Sequence, residues 1–177
     1  MNNLSSCLFA RVGFNINKDM ASNEICVLKV ILSDWRGRIR GRPYRTLAVP
    51  AEFSLYDLAE IIVDSFDFDF DHAFGFYDNV KDWTASKECY ELFKDLEQEG
   101  DFLIEPSPCQ SVKRTRLREV FTEDRKRWLF LFDYGDEWHF IVDFKGMKPP
   151  EEGVSYPCLL ESFGEAPPQY WGEGEME

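Results

Sequence analysis

Residues 128–144 read WLFLFDYGDEWHFIVDF. Two apolar, aromatic-rich runs at 128–132 and 138–142 flank the polar break Asp133-Tyr134-Gly135-Asp136-Glu137. This pattern predicts a β-hairpin. Each run is apolar at successive positions, so both faces are buried and both strands belong well inside a sheet. Residues 25–32 (ICVLKVIL) carry one charge, Lys29, and predict a central strand; 43–49 predict a second, closed by Pro50. Ser54 opens a helix, with Asp57 near its positive end. Leu55, Leu58, Ile62 and Phe66 then follow at helical spacing, and the helix ends near Ser65.

Further along, residues 67–77 (DFDFDHAFGFY) alternate acid and aromatic before becoming a strand. In extended form Asp67, Asp69 and Asp71 share one face, and Phe68 and Phe70 the other. A second helix is predicted over 86–98, a loop over 103–110 and a short helix over 114–120. Beyond Gly146, prolines and glycines mark irregular structure, anchored by Tyr156, Leu159, Leu160 and Phe163. The expected fold is a single α+β domain. Its mixed, largely antiparallel sheet carries one main packed helix, shorter helices and an irregular C-terminal tail. The expected divisions are an N-terminal arm (1–24) with one added strand, the α+β domain (25–147) and the Pro/Gly-rich acidic tail (148–177).

Composition narrows the class. The chain has 177 residues, 44% of them apolar and 16% aromatic, which suits a globular domain. No apolar run approaches the roughly 20 residues that span a bilayer, so no membrane partner is expected. No basic region followed by an apolar stretch marks a secretory signal. Cys7, Cys26, Cys89, Cys109 and Cys158 are odd in number, widely spread and lack a C-x-x-C. They predict reduced thiols and a cytoplasmic location.

The formal net charge of -13 opposes nucleic-acid binding if spread evenly. It is uneven: 36–45 carries five arginines and no acid, and 113–127 carries seven basic residues.

Four segments, in order, carry a resemblance: RPYRTLAVPAEFSLYDLAEIIVDSFDF, DHAFGFY, LREVFTEDRKRWLFLFDYGDEWHFIV and YPCLLESFGEAPPQY. Together they resemble the plasmid open-reading-frame-three-like family, also described as a transposable-element passenger TnpR-like family, over residues 25–170. The FDYGDEW run is the most specific piece. The resemblance implies an α+β domain of bacteria and archaea, associated with mobile elements and without an established activity. The sequence departs from the commoner pattern twice. A histidine usual two positions after the tryptophan is Phe140, with His139 one position earlier. A usual Cys-Pro-Pro-Glu-Asp segment reads Ala166-Pro167-Pro168-Gln169-Tyr170.

Two constellations are candidates for function. Asp71, His72, Asp133 and Asp136 offer oxygen and nitrogen ligands for a divalent metal, which would activate water for hydrolysis. Tyr134, Trp138 and His139 complete this candidate site at the hairpin end. The same aspartates equally suit a turn, where Asp accepts from nearby backbone N–H groups. The 67–78 stretch fails as a calcium loop, with His72 at the glycine position and Asp78 at the glutamate position. No serine-hydrolase, P-loop or dinucleotide-binding motif is present.

The second constellation is a basic patch of Arg36, Arg38, Arg40, Arg42, Arg45, Lys113, Arg114 and Arg116. It would take phosphates, with Trp35, Tyr44 and Trp128 to stack on bases. It equally suits a solvated basic face, a protein partner, or pairing with the chain's own acidic surface, a second copy of the chain included. A non-enzymatic binding or adaptor module is the first expectation; a metal-assisted hydrolase is the alternative.

Overall fold

The computed structural model describes residues 24–33, 36, 39, 41–98 and 106–170. The expected arm with its added strand lies outside these residues. Eight strands and three α-helices follow in the order β1 (Ile25–Ser33), β2 (Tyr44–Pro50), α1 (Leu55–Ser65), β3 (Phe74–Tyr77), β4 (Cys89–Glu91), α2 (Leu92–Gln98), β5 (Gln110–Ser111), α3 (Leu117–Val120), β6 (Arg127–Phe132), β7 (Trp138–Lys148) and β8 (Cys158–Phe163). They form one mixed sheet in the order β5-β4-β3-β6-β7-β1-β2-β8, antiparallel except for the β4–β5 pair.

The hairpin forms as its pattern requires. β6 and β7 pair antiparallel from Phe132↔Trp138 to Arg127↔Asp143, and both lie in the sheet interior. β1 lies against β7 on one side and β2 on the other. Alternation divides the side chains between two faces. Trp128, Phe130, Phe132, Trp138, Phe140 and Val142 join Leu28, Val30 and Leu32 in the larger core cluster. From α1, Leu55, Leu58, Ala59, Ile61, Ile62 and Val63 join the same cluster. Each fully buried side chain of this kind contributes about 2 kcal/mol. On the other face Tyr77, Leu129 and Leu131 form a smaller cluster under Val80, Trp83, Cys89 and Tyr134.

Helix α1 starts where its cap dictates. Ser54 Oγ accepts from Asp57 N at 3.1 Å, and Asp57 Oδ2 accepts from Ser54 N at 2.8 Å. This reciprocal pair satisfies two orphan donors. After Phe66, Asp67 takes a left-handed φ of 60° and turns the chain back across the end of the sheet.

Four expectations change. The helix predicted over 86–98 begins six residues later, because residues 89–91 are drawn into the sheet as β4 beside β3. The short helix predicted over 114–120 is confined to Leu117–Val120. The tail is not wholly irregular: β8 pairs with β2 and forms one edge of the sheet. Finally, Cys89 and Cys109 are joined in a disulfide. The parallel pairing Tyr90↔Gln110 sets the preceding residues side by side, with Cα atoms 4.9 Å apart. Spacing along the chain carried no sign of that neighbourhood. Cys26 is buried, and burial pushes its thiol up to about 12. Among the described residues no helix is long and apolar enough to cross a membrane.

Candidate functional site

The β6–β7 turn is built on Asp133. Its φ of 61° is left-handed, a conformation that aspartate tolerates better than most residues. Its Oδ1 accepts from Gly135 N at 2.9 Å and Asp136 N at 3.3 Å, and its carbonyl accepts from Glu137 N at 2.6 Å. One oxygen is thus committed to the turn, as the local chemistry of Asp predicts.

The other oxygen faces His72. Residues 67–72 cross the same end of the sheet with their acids outward and aromatics inward. Asp67, Asp69 and Asp71 are exposed, whereas Phe68 is buried against Trp138 and Phe140. His72 is half-buried between two carboxylates. Its Nδ1 lies 2.6 Å from Asp71 Oδ1 and its Nε2 lies 3.5 Å from Asp133 Oδ2. Asp71, His72 and Asp133, predicted as one site, therefore meet, and Asp136 is tied to Asp133 through its backbone N–H.

Two residues that sequence reasoning did not single out complete this end. Gln169 is buried, and its amide pairs with the backbone of Asp69. Oε1 accepts from Asp69 N at 2.6 Å, and Nε2 donates to Asp69 O at 3.1 Å and to Asp71 Oδ1 at 3.2 Å. The adjacent Tyr170 hydroxyl donates to Asp71 Oδ2. The only sequence signal was that residues 169 and 170 depart from the family pattern. Their contacts lie about a hundred residues away along the chain, where no periodicity reaches.

Electrostatics follow these contacts. Burial raises the Asp71 carboxyl, but the bonds from Tyr170 and His72 outweigh it and hold the group below the ordinary carboxylate value. The bond to Asp71, then burial, pushes the Tyr170 phenol up to about 12.

The remaining predicted residues divide. Tyr134 leaves the turn toward β3, where its hydroxyl lies 2.7 Å from that of Tyr77, which donates to Glu91. Burial first, then the Glu91 charge, raises Tyr134; burial, then Tyr134, raises Tyr77. Trp138 is packed in the core against Phe68. His139, as its alternation with Trp138 predicts, leaves by the other face, and its Nε2 lies 3.6 Å from Glu137.

Among the described residues no group of three or more His, Cys, Asp or Glu could hold a metal ion. Both ring nitrogens of His72 face carboxylates, and the turn and Tyr170 occupy oxygens of Asp133 and Asp71.

The described residues of the expected basic patch have different surroundings. Arg45 is buried. Its guanidinium donates to the carbonyls of Ser65 at 2.8 Å, Tyr44 at 3.0 Å, Gly164 at 3.1 Å and Phe163 at 3.2 Å, so it is a structural link. Arg36 Nη2 reaches Gly135 O at 3.5 Å, at the turn end. Lys113, Arg114 and Arg116 are exposed beside the N-terminus of α1, where Leu55 N donates to Thr115 O and Tyr56 N to Val112 O. Among the described residues, Arg36 thus contacts the β6–β7 turn, Arg45 links α1 to the sheet edge, and Lys113, Arg114 and Arg116 lie beside the start of α1. Arg42 is exposed; Arg38 and Arg40 lie outside the described residues. In the second segment Arg118 pairs with Glu52, Arg125 with Glu88, Lys126 with Glu123 and Arg127 with Asp143.

These observations define a single-domain α+β protein, an eight-stranded mixed sheet with a carboxylate–imidazole cluster beside its central turn. The chain belongs to the family described as plasmid pRiA4b ORF-3-like protein, which matches residues 24–174. That description does not carry the TnpR-like name. Among solved structures the chain is similar to a protein of unknown function from Methanosarcina mazei Go1. The match has 26% identity and a TM-score of 0.66, and covers 82% of this chain and 73% of that one. No curated protein matches.

Proposed function

We propose that the chain is a non-enzymatic binding module whose contact surface is the turn end of the sheet. The observation that carries this reading is the position of His72. Two separate segments hold the imidazole, through Asp71 and Asp133, on a surface that also presents the exposed Tyr170 ring. Asp67 and Asp69 extend that surface with exposed carboxylates. Carboxylates pair with guanidinium and ammonium groups, and a phenol ring offers them a π-face. The partner class is therefore a positively charged protein segment. A metal-assisted hydrolase draws no support from the donor geometry, and a phosphate-binding patch draws none from Arg45, whose guanidinium is spent on backbone carbonyls.

The test is titration with an arginine- and lysine-rich peptide at two salt concentrations, with a single-stranded oligonucleotide in parallel. The peptide should bind wild type more tightly at low salt and bind Asp71→Asn more weakly. Peptide binding unaffected by Asp71→Asn, or oligonucleotide binding lost in Arg114→Glu/Arg116→Glu, would reject this surface.

A further inference from the structure

We propose that the Cys89–Cys109 disulfide is a redox latch that sets the order of the β6–β7 turn. Its bearing on partner binding rests on the reading above. The bridge joins β4 to the residue before β5, a parallel pair with only two matched positions, Tyr90↔Gln110 and Glu91↔Ser111. From it a continuous chain of hydrogen bonds runs to the turn. Cys109 N donates to Ser107 Oγ at 3.1 Å, and Ser107 Oγ donates to Glu91 Oε2 at 2.8 Å. The other Glu91 oxygen accepts from Tyr77, whose hydroxyl meets that of Tyr134 in the turn. Phe93, on the helix enclosed by the bridge, packs on the same Tyr134 ring at 5.2 Å.

The bridge thus supports the Ser107 side of the Glu91 carboxylate, and Tyr77 holds the other. Asp95 holds the chain beyond it, accepting from Ser111 Oγ and from Val112 N at 3.0 Å. Ser107 is also held from α2, where its N–H donates to Glu97 Oε2 at 3.3 Å and its carbonyl accepts from Lys94 Nζ at 3.4 Å, so loss of the bridge loosens this stretch without freeing it, while the Ser111–Val112 anchor stays. The Ser107 tether of Glu91 is then weakened, and the Tyr77–Tyr134 pair is left with a less firmly fixed acceptor.

The chemistry requires a dithiol reductant. One of its thiolates attacks Cys89 Sγ, since Cys109 is the more buried of the pair. The S–S bond breaks, and its electron pair leaves on Cys109 Sγ, which takes a proton. The second thiol of the reductant then displaces Cys89, leaving two protein thiols and an oxidised reductant.

Amide hydrogen exchange on the full chain, with and without dithiothreitol, tests the latch. The reporters are the Asp133 and Glu137 amides, bonded to Ala73 O at 3.0 Å and Asp133 O at 2.6 Å. Reduction should speed their exchange at least tenfold, and Cys89→Ser/Cys109→Ser should match the reduced protein. Glu91→Gln, with the disulfide intact, should give the same direction of change and serves if the double variant does not fold. Faster exchange confined to residues 89–111, with Asp133 and Glu137 unchanged, overturns the latch. The readout needs no partner, so this outcome holds whatever peptide titration returns.

Discussion

The Tyr134 hydroxyl lies 2.7 Å from that of Tyr77, tying the β6–β7 turn to β3. The pair closes over Gly75, where a Cβ atom would sit 2.8 Å from both hydroxyl oxygens. Gly75→Ala should therefore separate the two rings or displace the turn. Overpacking of this kind costs about 1–3 kcal/mol. Urea unfolding should show that loss, and the tyrosine signal in near-ultraviolet circular dichroism should fall.

Arg45 supports the opposite half of the sheet in a different way. Its guanidinium serves four backbone carbonyls contributed by α1, β2 and the end of β8. Arg45→Met leaves those acceptors unsatisfied and should destabilise the fold by about 3 kcal/mol. Arg45→Lys should recover little, because an ammonium lacks the planar fork. Denaturant midpoints of the two variants measure this.

Ser54→Ala removes the hydroxyl half of the reciprocal cap on α1. The expected loss is about 1 kcal/mol, read from thermal or urea unfolding. Ser54→Thr, which keeps the hydroxyl that accepts from Asp57 N and donates to Asp57 Oδ2, should lose less.

The contact between Tyr170 and Asp71 gives a pH window. Tyr170 titrates at about 12 in the fold against 10.0 ordinarily, so its contribution is complete below the ordinary value and is lost as pH rises through about 12. Asp71 is lowered, so its contribution is complete above the ordinary carboxylate value and is lost as pH falls through the lowered one. An absorbance titration at the phenolate band, wild type minus Tyr170→Phe, should isolate a midpoint near 12. A difference midpoint near 10 would show that the bond is absent in solution.

The hairpin, the strands flanking it and the start of α1 were legible because each rests on local chemistry: alternation in residues 128–142, a break at 133–137, a serine cap at 54. Asp71, His72 and Asp133 were grouped, with Asp136, for their ligand chemistry, and the fold brings the three together as a carboxylate–imidazole cluster. What escaped was set by distance along the chain. The Gln169 amide reads the backbone of Asp69, and no local pattern announces it. Arg45 looked like part of an exposed basic run, although its neighbours are the end of a helix and the far edge strand. Cys89 and Cys109 became partners through a parallel pairing that spacing does not encode. Residues 89–91 read as helix because their neighbours are helical, but pairing with β3 overrode that preference.

The edge position of β8 bears on how the chain is made. The last strand in the sequence is also the outermost on its side of the sheet, paired with a strand formed near the beginning. During synthesis β2 leaves the ribosome long before Phe163 and Gly164 do. Until they emerge, Arg45 lacks two of its carbonyl acceptors, and β2 presents an unprotected row of backbone groups. The interval between the two is when a chaperone or a stray strand has access to that edge.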